Sequence, residues 1–148
     1  MPKAPSYQIE EALKNVLQTN ISAVSSAQIR RVLDLSGADK GTAGVVISVA
    51  DNGGFSAAAT RTVISCTAEV VCYTHLEDDL DGEVFDSLVS QALIALQGAT
   101  YVLEGWRVAL PSGYGSWSVA RTGTDGSFRQ AALTATVHLH QYTLNTPN

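Results

Sequence analysis

Five carboxylates crowd into seven residues at Glu77-Asp78-Asp79-Leu80-Asp81-Gly82-Glu83, a density of hard oxygen ligands that raises calcium binding as the first chemistry to test. Aligning Gly82 on the glycine of a calcium loop puts Leu88 where a bidentate Glu is required, so two ligands are lost and the site fails. Carboxylates ahead of a helix have a simpler use, since they satisfy the exposed N–H groups and the positive end of its dipole, with Asp81 as the expected cap. His138 and His140 are two apart on a strand-like run and project from one side at about 6.6 to 7 Å, a spacing that one zinc ion could bridge. The remaining ligands are missing nearby, and His75 is the only other histidine. The pair is therefore expected on a solvated or subunit-contacting face, where titration near ~6.5 would make a contact pH-sensitive.

Cys66 and Cys72 lie six positions apart on one expected strand, hence about 20 Å from each other at about 3.3 Å per residue, beyond disulfide reach. They read as buried free thiols, which fits synthesis in the cytoplasm. The sequence has no phosphate-binding glycine motif, no nucleophile elbow and no His/Cys pairing, so it presents no catalytic constellation and calls for no cofactor. Gly113-Tyr114-Gly115 reads as a turn. Trp106 and Trp117 flank that turn and suit either core and cross-strand packing or an interface anchor. Asn20-Ile21-Ser22 fits a glycosylation acceptor, but the opening MPKAPSYQIEEALK has no apolar stretch of signal-peptide length, which leaves the match without consequence.

The elements that must position these residues follow from periodicity. Ser6 is placed to cap a first helix from about Tyr7 to Gln18, with Ile9, Leu13, Val16 and Leu17 on one stripe. Residues Ile21 to Leu35 are ambiguous: Ile29, Val32 and Leu33 suit a helix face, whereas the preceding Ser/Ala run suits a loop or edge strand. Ser36 to Gly44 reads as a connection into a β-branched run, Val45 to Val49. Asp51-Asn52-Gly53-Gly54 is a turn signal, opening a loop to about Thr60 between two strands. From Thr62 to Thr74, Ile64, Cys66, Ala68, Val70 and Cys72 share one face; Val63, Ser65, Thr67, Glu69 and Tyr73 share the other.

A second helix, Val84 to Gln97, carries a wide apolar stripe and ends at Gly98. Short strands are expected at Trp106 to Leu110 and Trp117 to Arg121, separated by a turn at Pro111 to Gly115 and followed by a loop from Thr122 to Ser127. The last strand, Ala131 to Tyr142, alternates Leu133, Ala135, Val137 and Leu139 with Thr134, Thr136, His138 and His140, and the tail from Thr143 is expected to fray. The result is an α+β fold: a mixed or antiparallel sheet packed against one long amphipathic helix, with an additional N-terminal helix.

At 148 residues with 45% hydrophobic and 16% charged residues, the chain suits one soluble domain, and its apolar runs are too short for a membrane span. Nine basic against fourteen acidic residues give a formal charge of −5, with no basic-aromatic cluster, which disfavours stable binding to nucleic-acid phosphates.

The order of these elements resembles the tail terminator, or tail completion, proteins of long-tailed bacteriophages. The resemblance is carried by Ile9-Glu10-Glu11-Ala12-Leu13, by Gly44 to Val49 before a Gly-rich turn, and by Val70 to His75. It continues through the acidic entry to Phe85 to Leu93 and ends with Ala132 to Leu139. It implies a homo-oligomer, a hexameric ring at the head-proximal end of the tail tube in the virion, assembled in the host cytoplasm. The ring would cap the tube and meet the head–tail connector or head-closure protein. DNA would pass through the lumen without specific binding; no membrane, metal, cofactor or catalysis is implied. Six copies would carry about −30, six times −5, and an acidic wall does not hold phosphates. The expected contacts are Gly53, Gly54, Phe55, Tyr114, Trp117, Arg121, Asp125, His138 and His140, on loops that order on assembly and on the histidine face. Other neck or tail-tube components are the neighbouring readings. A small α+β enzyme or ligand-binding domain is the reading from another class, and it would need a concave pocket with convergent polar groups.

Overall fold

The computed structural model describes residues 4–32, 43–58, 61–98, 107–109, 117–125 and 127–142. In chain order it runs α1 (Pro5–Asn20), a 3-10 turn (Ser26–Gln28), β1 (Ile29–Arg31), β2 (Ala43–Ala58), β3 (Arg61–His75), a 3-10 turn (Leu76–Asp78), α2 (Glu83–Gly98), β4 (Arg107–Ala109), β5 (Ser118–Asp125) and β6 (Phe128–Tyr142). The α+β class expected from the sequence is what the chain adopts.

Helix α1 begins two residues earlier than its periodicity suggests. Pro5 supplies the start, because its fixed φ suits a first helical position whose N–H would be unpaired anyway. Ser6 therefore lies inside the first turn, and the residue before the helix, Ala4, offers no side-chain cap. The ambiguous stretch after α1 resolves as a loop, a 3-10 turn and the edge strand β1. Ile29 is fully buried while Val32 is 47% exposed, so the helical face drawn through both does not exist.

Six strands form one mixed sheet in the order β1-β2-β3-β6-β4, with β5 also on β6. β1 runs parallel to β2, and every other pairing is antiparallel. The outer edge of β6 is divided along its length, its first half taken by β5 and its last part by β4.

Two expected loops are corrected. Strand β2 continues through Asp51-Asn52-Gly53-Gly54: Asp51 pairs with Cys66 and Phe55 with Ile64, so three residues of β2 face one of β3. Residues without a Cβ suit such a bulge as well as they suit a turn, and the chain reverses only between Ala58 and Arg61, which pair. Likewise β5 extends to Asp125 across an irregularity between Arg121 and Thr124. Because Asp125 pairs with Phe128, the expected Thr122 to Ser127 loop shrinks to a two-residue connection. The turn at Pro111 to Gly115, most of the Ser36 to Gly44 connection and the tail from Thr143 lie outside the described residues.

One face of the sheet carries the core. Val45 and Ile47 of β2, Cys66, Ala68, Val70 and Cys72 of β3, and Ala131, Leu133, Ala135, Val137 and Leu139 of β6 are all buried, as the alternation of β3 and β6 requires. Onto them pack Ile9, Leu13 and Leu17 of α1 and Phe85, Leu88, Val89, Ala92 and Leu96 of α2. Each large aliphatic side chain so removed from water contributes about 1.5–3 kcal/mol. Cys66 and Cys72 are free and buried, as the sequence suggests. Burial pushes both thiols up to about 12, and for Cys66 the hydrogen bond to Asp51 and that carboxylate's charge act in the same direction. Neither is a thiolate near neutrality, so neither is a ready nucleophile.

Tyr73, on the opposite face, is nevertheless only 1% exposed. Its ring lies across Gly44, its pairing partner on β2, and meets Phe128 edge-on at 5.6 Å, while its hydroxyl oxygen accepts a hydrogen bond from Arg30 at 3.2 Å. A Cβ at position 44 would stand 2.6 Å from Tyr73 Oη and 2.8 Å from the carbonyl oxygen of Gln28, which explains the glycine. Gly44→Ala should accordingly destabilise the fold by about 1–3 kcal/mol through overpacking, read as a lower urea midpoint at unchanged slope. In Tyr73→Leu, which removes the hydroxyl from that space but leaves the Gln28 carbonyl, the same substitution should cost less without becoming neutral.

Candidate functional site

The acidic turn is the most elaborately built part of the surface, and its centre is Asp79. This carboxylate is 6% exposed. Its Oδ1 accepts from the N–H of Val84 at 3.1 Å, and its Oδ2 accepts from the N–H of Phe85 at 2.9 Å and from the Thr74 hydroxyl at 3.2 Å. Asp79 thus caps α2 from a position before the turn that precedes it, and Asp81, the expected cap, makes only an exposed local bond to the N–H of Glu83. Sequence proximity favoured Asp81; the backbone at Gly82, with φ at +78°, swings the chain so that the earlier residue reaches the helix end.

Arg129 of β6 completes the arrangement by donating to the carbonyl oxygens of Asp79 and Leu80, with its guanidinium 3.9 Å from Asp79 Oδ2. Leu76 N–H donates to the carbonyl of Ser127 at 2.8 Å, tying the turn to the β5–β6 hairpin. Burial alone would raise the Asp79 pKa. The two backbone N–H groups, the Thr74 hydroxyl and the Arg129 charge outweigh it and hold the carboxyl below its ordinary value.

Around this fixed centre Glu77, Asp78, Asp81 and Glu83 are exposed, and Leu80 stands 81% exposed among them. Among the described residues no three His, Cys, Asp or Glu side chains gather to hold a metal ion. Beside the turn, Asp81, Phe85, Asp86, Arg121 and Arg129 border an open depression of about 430 Å³. It mixes both charge signs and holds no nucleophile next to a base.

The residues expected at contacts, where described, fall on β2, β5, β6 and the residue just before β5. Gly53, Gly54 and Phe55 belong to β2, at and beside the bulge, and not to a loop. Tyr114 lies outside the described residues. Trp117 is 4% exposed and part of the core, the packing role that was one of its two expected fates; its indole N–H is buried without an acceptor among the described residues. Arg121 is exposed on β5, 3.3 Å from Asp86 and over the ring of Phe85 at 5.7 Å. Asp125 closes the β5–β6 hairpin opposite Phe128. His138 is exposed on the face away from the helices, and His140 pairs with Val63 and Arg107 two positions further along β6.

Two polar residues that bind the elements together escaped the sequence reading. Glu10 is 7% exposed and its Oε2 accepts from the N–H of Val49, on the outer edge of β2. Gln91 of α2 accepts from the N–H groups of Ser22 and Ala23 and donates to the Ser22 hydroxyl. A signal for Glu10 was its place between Ile9 and Leu13 at the margin of the apolar stripe; for Gln91 there was none.

No family model and no curated protein matches the chain. A solved structure whose name describes no function is similar in fold, with 12% sequence identity, a TM-score of 0.57, and coverage of 95% of this chain and 94% of the other. That likeness concerns the path of the backbone. No helix of the described residues is long and apolar enough to cross a membrane.

Removing the Asp79 carboxylate should break the cap and orphan Thr74: Asp79→Ala is expected to cost about 2–4 kcal/mol, against less than about 1 kcal/mol for Asp81→Ala, compared by chemical denaturation. The pH dependence has a definite sign. Because the folded pKa lies below the unfolded value of about 3.9, the unfolded chain binds the extra proton, and the stabilisation is complete above that value and lost as pH falls through the folded pKa. Acid titration of stability should therefore be shallower in Asp79→Asn than in the parent chain below about pH 4.

Proposed function

We propose that the chain is a structural virion subunit that forms a closed ring, a hexamer, on the head-proximal end of a long phage tail tube. In this role it ends tube polymerisation and offers its other side to the head–tail connector or head-closure protein, while DNA passes through the lumen without being held. The work is done by surfaces, with no catalysis and no cofactor.

The observation that supports the reading best is the outer edge of β2. Among the described residues β1 covers it only at residues 45–47, and residues 48–58 have no strand neighbour on that side. That stretch, Ser-Val-Ala-Asp-Asn-Gly-Gly-Phe-Ser-Ala-Ala, contains neither Lys nor Pro, the residues that ordinarily protect an edge from pairing. The Glu10 carboxylate meets one N–H of the row, that of Val49. A subunit with such an edge is suited to association, and the element order adds the resemblance to tail terminators. Charge is compatible, since a ring of about −30 leaves phosphates free to slide.

Mass measurement of the purified protein, alone and mixed with tail tubes, tests this. Closed rings of about 94 kDa, six times 15.6 kDa, with labelled protein at one end of each tube in electron micrographs, are expected. Long polymers formed by the protein alone would assign it to the tube itself. A chain that stays monomeric with and without tubes would overturn the reading.

A further inference from the structure

The uncovered stretch of β2 has a counterpart across the sheet. Among the described residues the outer side of β5 has no strand neighbour, and Ser118, Val119, Ala120 and Arg121 are exposed there. Strand directions alternate across β2, β3, β6 and β5. A second copy placed alongside, with its helices on the same side, therefore brings its β5 antiparallel to β2.

Bonding phase and side-chain face agree with that placement. Val49 turns its N–H away from β3, to Glu10, so ladder alternation turns Asp51 outward as well. Followed across the ladders, the same alternation joins β3 to β6 through Cys66 and Val137 and joins β6 to β5 through Ala120 and Ala132. It leaves Val119 and Arg121 turned outward from β5. Both outward sets lie on the helix side, since Asp51 accepts from the buried Cys66 thiol and Arg121 lies over Phe85 of α2. A slip of one residue would lose both the bonds and the faces, so only slips of two are open. Charge selects among them: Asp51 is the sole charged residue in 48–58, and Arg121 is the sole cation of β5. Arg121 already meets Asp86 through one nitrogen, and a guanidinium has five N–H donors to share.

We infer that β2 of one copy pairs antiparallel with β5 of the next, with Asp51 directly opposite Arg121, so that the sheets of neighbouring copies join. The inference rests on the ring reading and names the strands that make its contact. Closure is geometrically consistent. Asp51 lies level with Val137 of β6, through Cys66, whereas Arg121 lies level with Ala131, so the joint offsets neighbouring copies by six residues. That is about 20 Å along the strands, over four strands that span about 19 Å. Strands inclined at about 45° to the ring axis absorb the offset, at the upper end of the range for closed sheets. The second Glu10 oxygen, Oε1, is buried without a partner among the described residues, and an incoming strand brings a row of N–H donors to that edge.

Reversing the two charges separately tests the joint. Asp51→Arg alone and Arg121→Asp alone should each weaken assembly about tenfold per contact, because an opposite-charge pair becomes a like-charge pair. Mixed in equal amounts, the two variants should form rings again, since copies that alternate around the ring restore opposite charges at every contact. In the parent chain, amide hydrogen exchange at Asp51, Val119 and Arg121 should slow on assembly. Rings that form from either variant as readily as from the parent would overturn the joint and leave the ring reading standing. So would a mixture no better than its components, or exchange at those amides unchanged by assembly. A parent chain that never forms rings would overturn both.

Discussion

Strand β3 is hydrogen-bonded along both sides, to β2 on one and to β6 on the other, over all fifteen of its residues on the β6 side. From Arg61 to Thr74, apart from Ser65 opposite the bulge, the central strand thus has a paired residue on each side, and its side chains are committed to alternate faces. The consequence is a floor of defined relief. Cys66, Ala68 and Cys72 of β3 stand against Val137, Ala135 and Ala131 of β6, so small residues recur where α2 lies across these strands, while α1 lies on β1 and β2. The larger Val70 and Leu133, paired with each other, fill the space between. Helix placement is then fixed by where large side chains of the helices meet small ones of the floor.

Packing alone would leave α2 free to slide along its axis, and the Asp79 cluster removes that freedom. Its carboxylate grips the first turn of α2 while Thr74, one residue from the end of β3, grips the carboxylate. Arg129 then binds two carbonyls of the turn from β6. Helix, central strand and neighbouring strand meet at one buried charge that is fully hydrogen-bonded, the condition under which a buried carboxylate is stabilising. The exposed Arg121–Asp86 contact does little by comparison, since solvent screens it.

How much of this was legible in the sequence depends on the range of the interaction. The alternation of β3 and β6 and the stripes of both helices report local periodicity, so their faces were readable residue by residue. What failed was punctuation. Asp51 to Gly54 has the composition of a turn and serves as a bulge, because a residue tolerant of irregular backbone suits both and only the partner strand decides between them. Asp79 was overlooked as a cap because its reach depends on the left-handed turn at Gly82 and on Arg129, fifty residues away. Trp117 illustrates the remaining gap: its size suits a core or an interface equally, and only tertiary burial separates the two.

The sheet ends unevenly, and this bears on what the chain is for. β6 has its outer edge occupied by two short strands, whereas β2 has, among the described residues, a bulge, one carboxylate and the three residues of β1. A bulge twists an edge and deflects indefinite pairing, but it leaves the flanking residues able to bond. An edge of that kind suits a contact made once, in one geometry, better than the repeated stacking of a polymer. For identical subunits, a single contact between two different patches either closes into a ring or continues as a helix, and the rotation per step decides which. The proposed ring requires that rotation to close after six copies, and the β2 edge, uncovered among the described residues from 48 to 58 and guarded near its start at Val49, is well placed to set it.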